Sequence, residues 1–183
     1  MNRLKEFPQL ASFFEKGRAS VEHFAFESLG EGLPKGALVE ISGRTGGGKT
    51  EVVFRFLAQN PTLRVAWIEE DFTIYPCARP LNRVGLERVL FVDSPPGQAL
   101  WTAHQILRSQ VFGVLVLKAS CVSEMELRRL QRAAGKSQVT VILLSQEPAK
   151  RGTWPISVQL EVWRSPEHVE SHLNVLKYKG QRS

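Results

Sequence analysis

The sequence predicts an α/β domain: a central, mostly parallel twisted sheet flanked by helices, with an antiparallel strand pair near the C-terminus. Three observations carry this. Short β-rich runs alternate with helix-like ones, a glycine-rich octet stands between a strand and a helix, and the last two β-like runs leave no room for a crossover helix. At 183 residues and 43% hydrophobic composition, the chain is long enough for one buried core and too short for two ordinary domains.

Along the chain, residues 1–30 are expected to form a helical arm, because Leu4, Phe7, Leu10, Phe13 and Phe14 recur at near-helical spacing. Such an arm either covers an edge of the core or engages a partner. Residues 31–183 are expected to form the core. The runs ALVEIS, RVAWIE, RVLFVD, GVLVLK and QVTVILLS read as strands, GVLVLK being apolar enough for a strand covered on both faces. TEVVFRFLAQ reads as a helix burying Val52, Val53, Phe56 and Leu57, and QALWTAHQILRS as one with Leu100, Trp101 and Ile106 in similar register. A third helix is announced by the capping box Ser123/Glu126 and is expected to close with Gly135 at its C′ position. SVQLEVWR and HLNVLKYK supply the antiparallel pair, and the four tryptophans read mainly as core residues.

No apolar run is long enough to cross a bilayer and the start lacks a signal peptide's apolar centre, so a cytoplasmic protein with no membrane partner is expected. Cys77 and Cys121 belong to no CxxC pattern and read as reduced and metal-free. A net charge of +6 is compatible with a polyanionic partner, but also with a merely solubilising surface. His168 and His172 have a metal-ligand spacing only on a helix, whereas their segment reads as a hairpin connection.

The chemistry resides in GRTGGGKT: Gly43, Arg44, Thr45, Gly46, Gly47, Gly48, Lys49 and Thr50 fit G-x-x-x-x-G-K-[ST] between a strand and a helix. Backbone N–H groups and the positive helix end converge there on phosphate. Lys49 would neutralise the β and γ oxygens of ATP, and Thr50 would offer its hydroxyl to magnesium. Glu69, Glu70 and Asp71 follow a strand at the edge where ligands lie, so one of them is a candidate base for an attacking water. The metal-holding aspartate expected after GVLVLK is absent: Lys118 stands there, and the chain's only aspartates are Asp71 and Asp93. A lysine there brings a second positive charge to the phosphates but binds no metal.

The ordered series GLPKGALVEISGRTGGGKT, AWIEEDFTIYPCA, DSPPGQALW, LLSQ, ISVQLEV and VLKYK resembles the RecA recombinase core from Gly32 almost to the C-terminus. Within the RecA relatives, its short length and altered nucleotide chemistry look most like the ImuA and SulA-like branch. The resemblance implies a RecA-like P-loop domain that binds ATP. It makes Asp71 the counterpart of the catalytic glutamate, shorter by one methylene, and Tyr75 an adenine contact. Gln146 becomes the γ-phosphate sensor, and Lys177 and Lys179 the paired lysines that reach a neighbour's ATP across a filament interface. In the loop after Gln146, shorter than the family's, Lys150, Arg151 and Trp154 form a basic, stacking-capable set suited to single-stranded DNA. The family's N-terminal polymerisation segment is not clearly matched and its C-terminal domain is missing, so strand exchange is not expected.

Three functions follow from the resemblance. One is an accessory protein of the bacterial DNA-damage response (SOS mutagenesis, translesion synthesis) with little or no hydrolysis, contacting a RecA filament, a DNA polymerase or DNA. Another is a DNA-stimulated ATPase that assembles into homo-oligomeric filaments. The last is a cell-division inhibitor that works through protein contact alone.

Overall fold

The computed structural model describes residues 22–71, 73–75, 84–118, 122–147, 155–165 and 171–179. The expected arm up to residue 21, both cysteines, His168, Lys150, Arg151 and Trp154 lie outside these residues.

A two-stranded ribbon, β1 (His23–Phe24) with β2 (Leu33–Pro34), precedes the main sheet. That sheet contains β3 (Leu38–Ser42), β4 (Val65–Glu69), β5 (Val89–Asp93), β6 (Val114–Lys118), β7 (Thr140–Ser145), β8 (Val158–Arg164) and β9 (Ser171–Tyr178), in the order β5-β4-β6-β7-β3-β8-β9. Every pairing is parallel except β8 with β9. The α/β architecture is therefore the one the sequence predicts, with β9 extending a parallel sheet as an antiparallel edge.

Three helices cover the sheet: α1 (Lys49–Gln59), α2 (Ala99–Ser109) and α3 (Glu124–Ser137). Alternate strand residues serve opposite faces, as the two-residue period requires. Val39, Ile41, Trp67 and Val116 join one core with Val53, Phe56 and Leu57 of α1. Leu38, Ala66, Ile68 and Leu117 join a second core with Ala103 and Leu107 of α2 and Leu127 and Leu130 of α3. Helices on both faces explain why the central strands are almost continuously apolar. On the α1 side, Phe54 stacks on Trp67 with ring centres 5.3 Å apart, and Phe24 and Phe26 meet Phe56 edge to face.

Two local expectations are corrected. Helix α3 continues through Gly135 to Ser137 and stops at Gln138, which takes the left-handed conformation (φ 57°) and returns its N–H to Ala134 O. A Cβ on Gly135 would meet only ordinary contact, 3.9 Å from Gly36 O, so no steric demand reserves this glycine for a helix end. Trp101 is also misplaced by periodicity: α2 buries Ala99, Ala103 and Leu107, which turns Trp101 outward. Trp163 is likewise half exposed, and only Trp67 of the three described tryptophans is a core residue.

The start of α3 is as expected, since Ser123 Oγ accepts from Glu126 N and Glu126 Oε2 accepts from Ser123 N at 2.8 Å. Ser123→Ala should destabilise the protein by about 1 kcal/mol, measurable by urea unfolding. The hydrogen bonds from Ser123 hold the Glu126 carboxyl below its ordinary range. Its stabilisation is therefore complete above the ordinary glutamate pKa and lost as pH falls through the lowered folded value. The destabilisation caused by Glu126→Gln should accordingly shrink towards acid pH.

Candidate functional site

Because β3, β4, β6 and β7 are parallel, their carboxyl ends lie along one edge. Ser42 leads there into the glycine loop, Glu69 into Glu70 and Asp71, Lys118 ends β6, and Ser145 leads into Gln146. These groups line one cavity of about 1230 Å³, together with Tyr75, Glu147 and Arg164. Tyr75 is largely exposed at its rim. The structure thus assembles Arg44 to Thr50, Asp71, Tyr75 and Gln146, which the sequence leaves scattered over a hundred residues.

The loop is shaped for a bulky anion. Gly46 and Gly48 have φ of 80° and 101°, in the region where side chains are strained. A Cβ on Gly43 would stand 2.2 Å from Val162 O, and one on Gly48 2.5 Å from Ser171 Cβ. Gly48 is the N-cap of α1 and supplies no side-chain cap, so the first N–H groups of the helix are left to a ligand. Lys49 donates to Gly43 O and, at 3.2 Å, to Arg44 O, which holds its ammonium inside the curl of the loop. Burial, and then the charge of Lys118, pushes the Lys49 pKa below its ordinary value. These residues fit nucleoside polyphosphate.

Beneath the loop, buried Glu40 of β3 accepts from Ser145 Oγ on one side (3.1 Å) and Gln159 Nε2 on the other (3.0 Å). At the far end of the loop, Glu51 accepts from Arg55 (2.8 Å) and Arg164 (2.6 Å), and Arg55 also donates to Ser171 Oγ. Glu40 is the one charged residue of its strand, between apolar Val39 and Ile41, a signal available in the sequence. Arg164 and Ser171 give no such signal, because only the pairing of β8 with β9 brings them to α1.

Of the three candidate acids, two have structural employment. Glu69 is buried, accepting from Trp67 Nε1 at 3.0 Å, Thr73 N at 2.6 Å, Thr73 Oγ1 at 2.9 Å and Ile74 N at 3.1 Å. Glu70 accepts from Gly97 N and Ala99 N and so anchors the start of α2. Neither is a free base. Asp71 does reach the cavity, but Lys118 Nζ lies 2.9 Å and 3.1 Å from its two oxygens and 2.8 Å from Thr73 Oγ1. With Asp71 63% and Lys118 35% exposed, such a pair contributes no more than about 1 kcal/mol. It nevertheless occupies the one of these three carboxylates that accepts from no backbone N–H among the described residues.

Magnesium fits less well than phosphate. Thr50 lines the cavity and fits as a hydroxyl ligand, but Glu69 and Glu70 are engaged and Asp71 is paired with a cation. Among the described residues, no group of three or more His, Cys, Asp and Glu side chains is placed to hold a metal ion. His172, in β9, instead stacks on Trp163 with ring centres 5.7 Å apart.

Lys177 and Lys179 lie elsewhere. β9 runs antiparallel to β8, so Ser171 stands at the loop edge and Lys177 opposite Gln159, about 20 Å along the strand. Burial, then the charge of Lys179, lowers the Lys177 pKa.

Fold and loop define a P-loop α/β domain, and comparison narrows its architecture to the RecA-like recombinase fold. The chain is 28% identical over 151 residues to the RecA protein of a Picosynechococcus species, an alignment covering 69% of this chain and 43% of that protein. It therefore spans less than half the length of this relative. The crystal structure of the RadB recombinase superposes with a TM-score of 0.64, covering 84% of this chain and 86% of that one at 13% identity, a likeness of fold. No protein-family model matches. No helix among the described residues is long and apolar enough to cross a membrane.

Removing the Glu69 carboxylate strands four donors in or near the core. Glu69→Ala should cost about 3 kcal/mol or more, whereas Asp71→Ala should cost less than about 1 kcal/mol, both read from urea midpoints.

Proposed function

We propose that this protein is a RecA-like accessory protein that binds ATP with little or no turnover and acts in the bacterial DNA-damage response by contacting other proteins. The observation that carries this reading is the Lys118–Asp71 pair beside an intact phosphate loop. Hydrolysis asks a carboxylate to orient or deprotonate water, and here both oxygens of the shorter Asp71 face an ammonium group. Binding asks only for the loop, Lys49 and the end of α1. Gln146 at the same cavity suits a sensor that reports nucleotide through the segment following it.

The resemblance to RecA proposes a RecA filament or a DNA polymerase as partner, with single-stranded DNA approached by Lys150, Arg151 and Trp154. The ImuA and SulA-like resemblance proposes SOS mutagenesis and translesion synthesis. An inhibitor acting by protein contact alone leaves the phosphate-shaped loop without a purpose.

Lys49→Ala should abolish ATP binding in a fluorescence titration. Steady-state hydrolysis by the wild-type protein should stay near background with or without single-stranded DNA. Turnover at the rate of a working recombinase, lost in Lys49→Ala, would overturn the accessory reading.

A second reading, a filament-forming ATPase, is favoured by the placement of Lys177 and Lys179. At the far end of edge strand β9 they are remote from their own loop and suited to a neighbour's. It expects ATP to raise the mass seen by light scattering, and the double change Lys177→Ala/Lys179→Ala to suppress the rise. A protein that stays monomeric with ATP and DNA would dismiss it.

A further inference from the structure

We propose that Lys118 is a built-in substitute for the divalent metal, so that this P-loop takes a nucleoside triphosphate as the metal-free anion. The inference deepens the nucleotide-binding reading and rests on it.

Four observations point to it. Lys118 ends β6, two strands from β3, hence about 10 Å across the sheet from the start of the loop and on its edge. Its four-carbon stem carries the ammonium into the cavity that the loop lines, where it meets Asp71 and Thr73 Oγ1. Its charge is felt at Lys49, whose pKa it helps to lower, so the two cations act on one small volume. Finally, two of the cavity's carboxylates are withdrawn into structure: Glu69 by Trp67, Thr73 and Ile74, and Glu70 by the start of α2.

Two like charges on one cavity repel each other and stand ready for a polyanion. A triphosphate entering between Lys49 and Lys118 relieves that repulsion without a metal. A divalent ion would have to settle beside Lys118 and be repelled by it. Asp71 then acts as a placeholder, holding the ammonium through a half-exposed, weak pair that the more highly charged phosphate displaces. Arg44 adds further positive charge to the wall of the same cavity.

The test is equilibrium binding of ATP to the full chain by calorimetry, in excess EDTA and again in excess magnesium. Wild type should bind at least as tightly in EDTA. Lys118→Met should weaken binding in EDTA by about tenfold or more, while Asp71→Asn, which frees the ammonium, should tighten it up to about fivefold. Lys118→Asp should shift the preference towards magnesium, and if that variant does not fold, Lys118→Met decides. Binding that requires magnesium and disappears in Lys49→Ala would overturn this proposal while leaving the nucleotide-binding reading intact. Absence of ATP binding under both conditions would overturn both.

Discussion

β3 is held on both sides along its length, by β7 and by β8, and buried Glu40 ties it to each through Ser145 and Gln159. The phosphate loop is the continuation of this strand. Its first glycine lies against the carbonyl of Val162 in β8, and its last against Ser171 of β9, with no space for a side chain at either. The curl of the loop is thus set by the strands that clamp its two ends. A parallel sheet covered on both faces leaves polar groups few places to emerge. The carboxyl ends of its strands are one of them, and there the loop, the acids, Lys118 and Gln146 come together.

Within that edge, charge is distributed unusually. Four cationic groups, Arg44, Lys49, Lys118 and Arg164, line the cavity together with six carboxylates, Glu40, Glu51, Glu69, Glu70, Asp71 and Glu147, most of which hold other partners. Glu69 organises the turn after β4, Glu70 the start of α2, and Glu51 the link between α1 and the β8–β9 hairpin. Asp71 lines the cavity paired with Lys118. The site thus sets a loop shaped for phosphate beside acids that hold other partners.

The link from Glu51 through Arg55 and Arg164 to Ser171 also connects the phosphate loop mechanically to the edge strand. The start of α1 is thereby tied to β9 at its Ser171 end.

The α/β alternation, the capping box of α3 and the phosphate loop were legible in the sequence because each depends on neighbours within a few residues, and the parallel sheet with its antiparallel edge because the length of each connection decides whether a crossover helix fits. Apolar periodicity reports a strand or helix face, and G-x-x-x-x-G-K-T fixes a backbone path by itself. Where a helix pattern was ambiguous, periodicity misled: Trp101 shares a register with apolar residues, yet small Ala99 and Ala103 are what fits against the sheet. Gly135 has the composition of a helix end but not its position. The sequence also disclosed that a lysine replaces the expected aspartate, though not what that lysine does. Only the tertiary structure decided that Glu69 and Glu70 are structural and that Lys118 grips Asp71 across 47 residues of chain. Those pairings depend on which strands lie side by side, and strand order is settled by the packing of two helical layers, which no local pattern records.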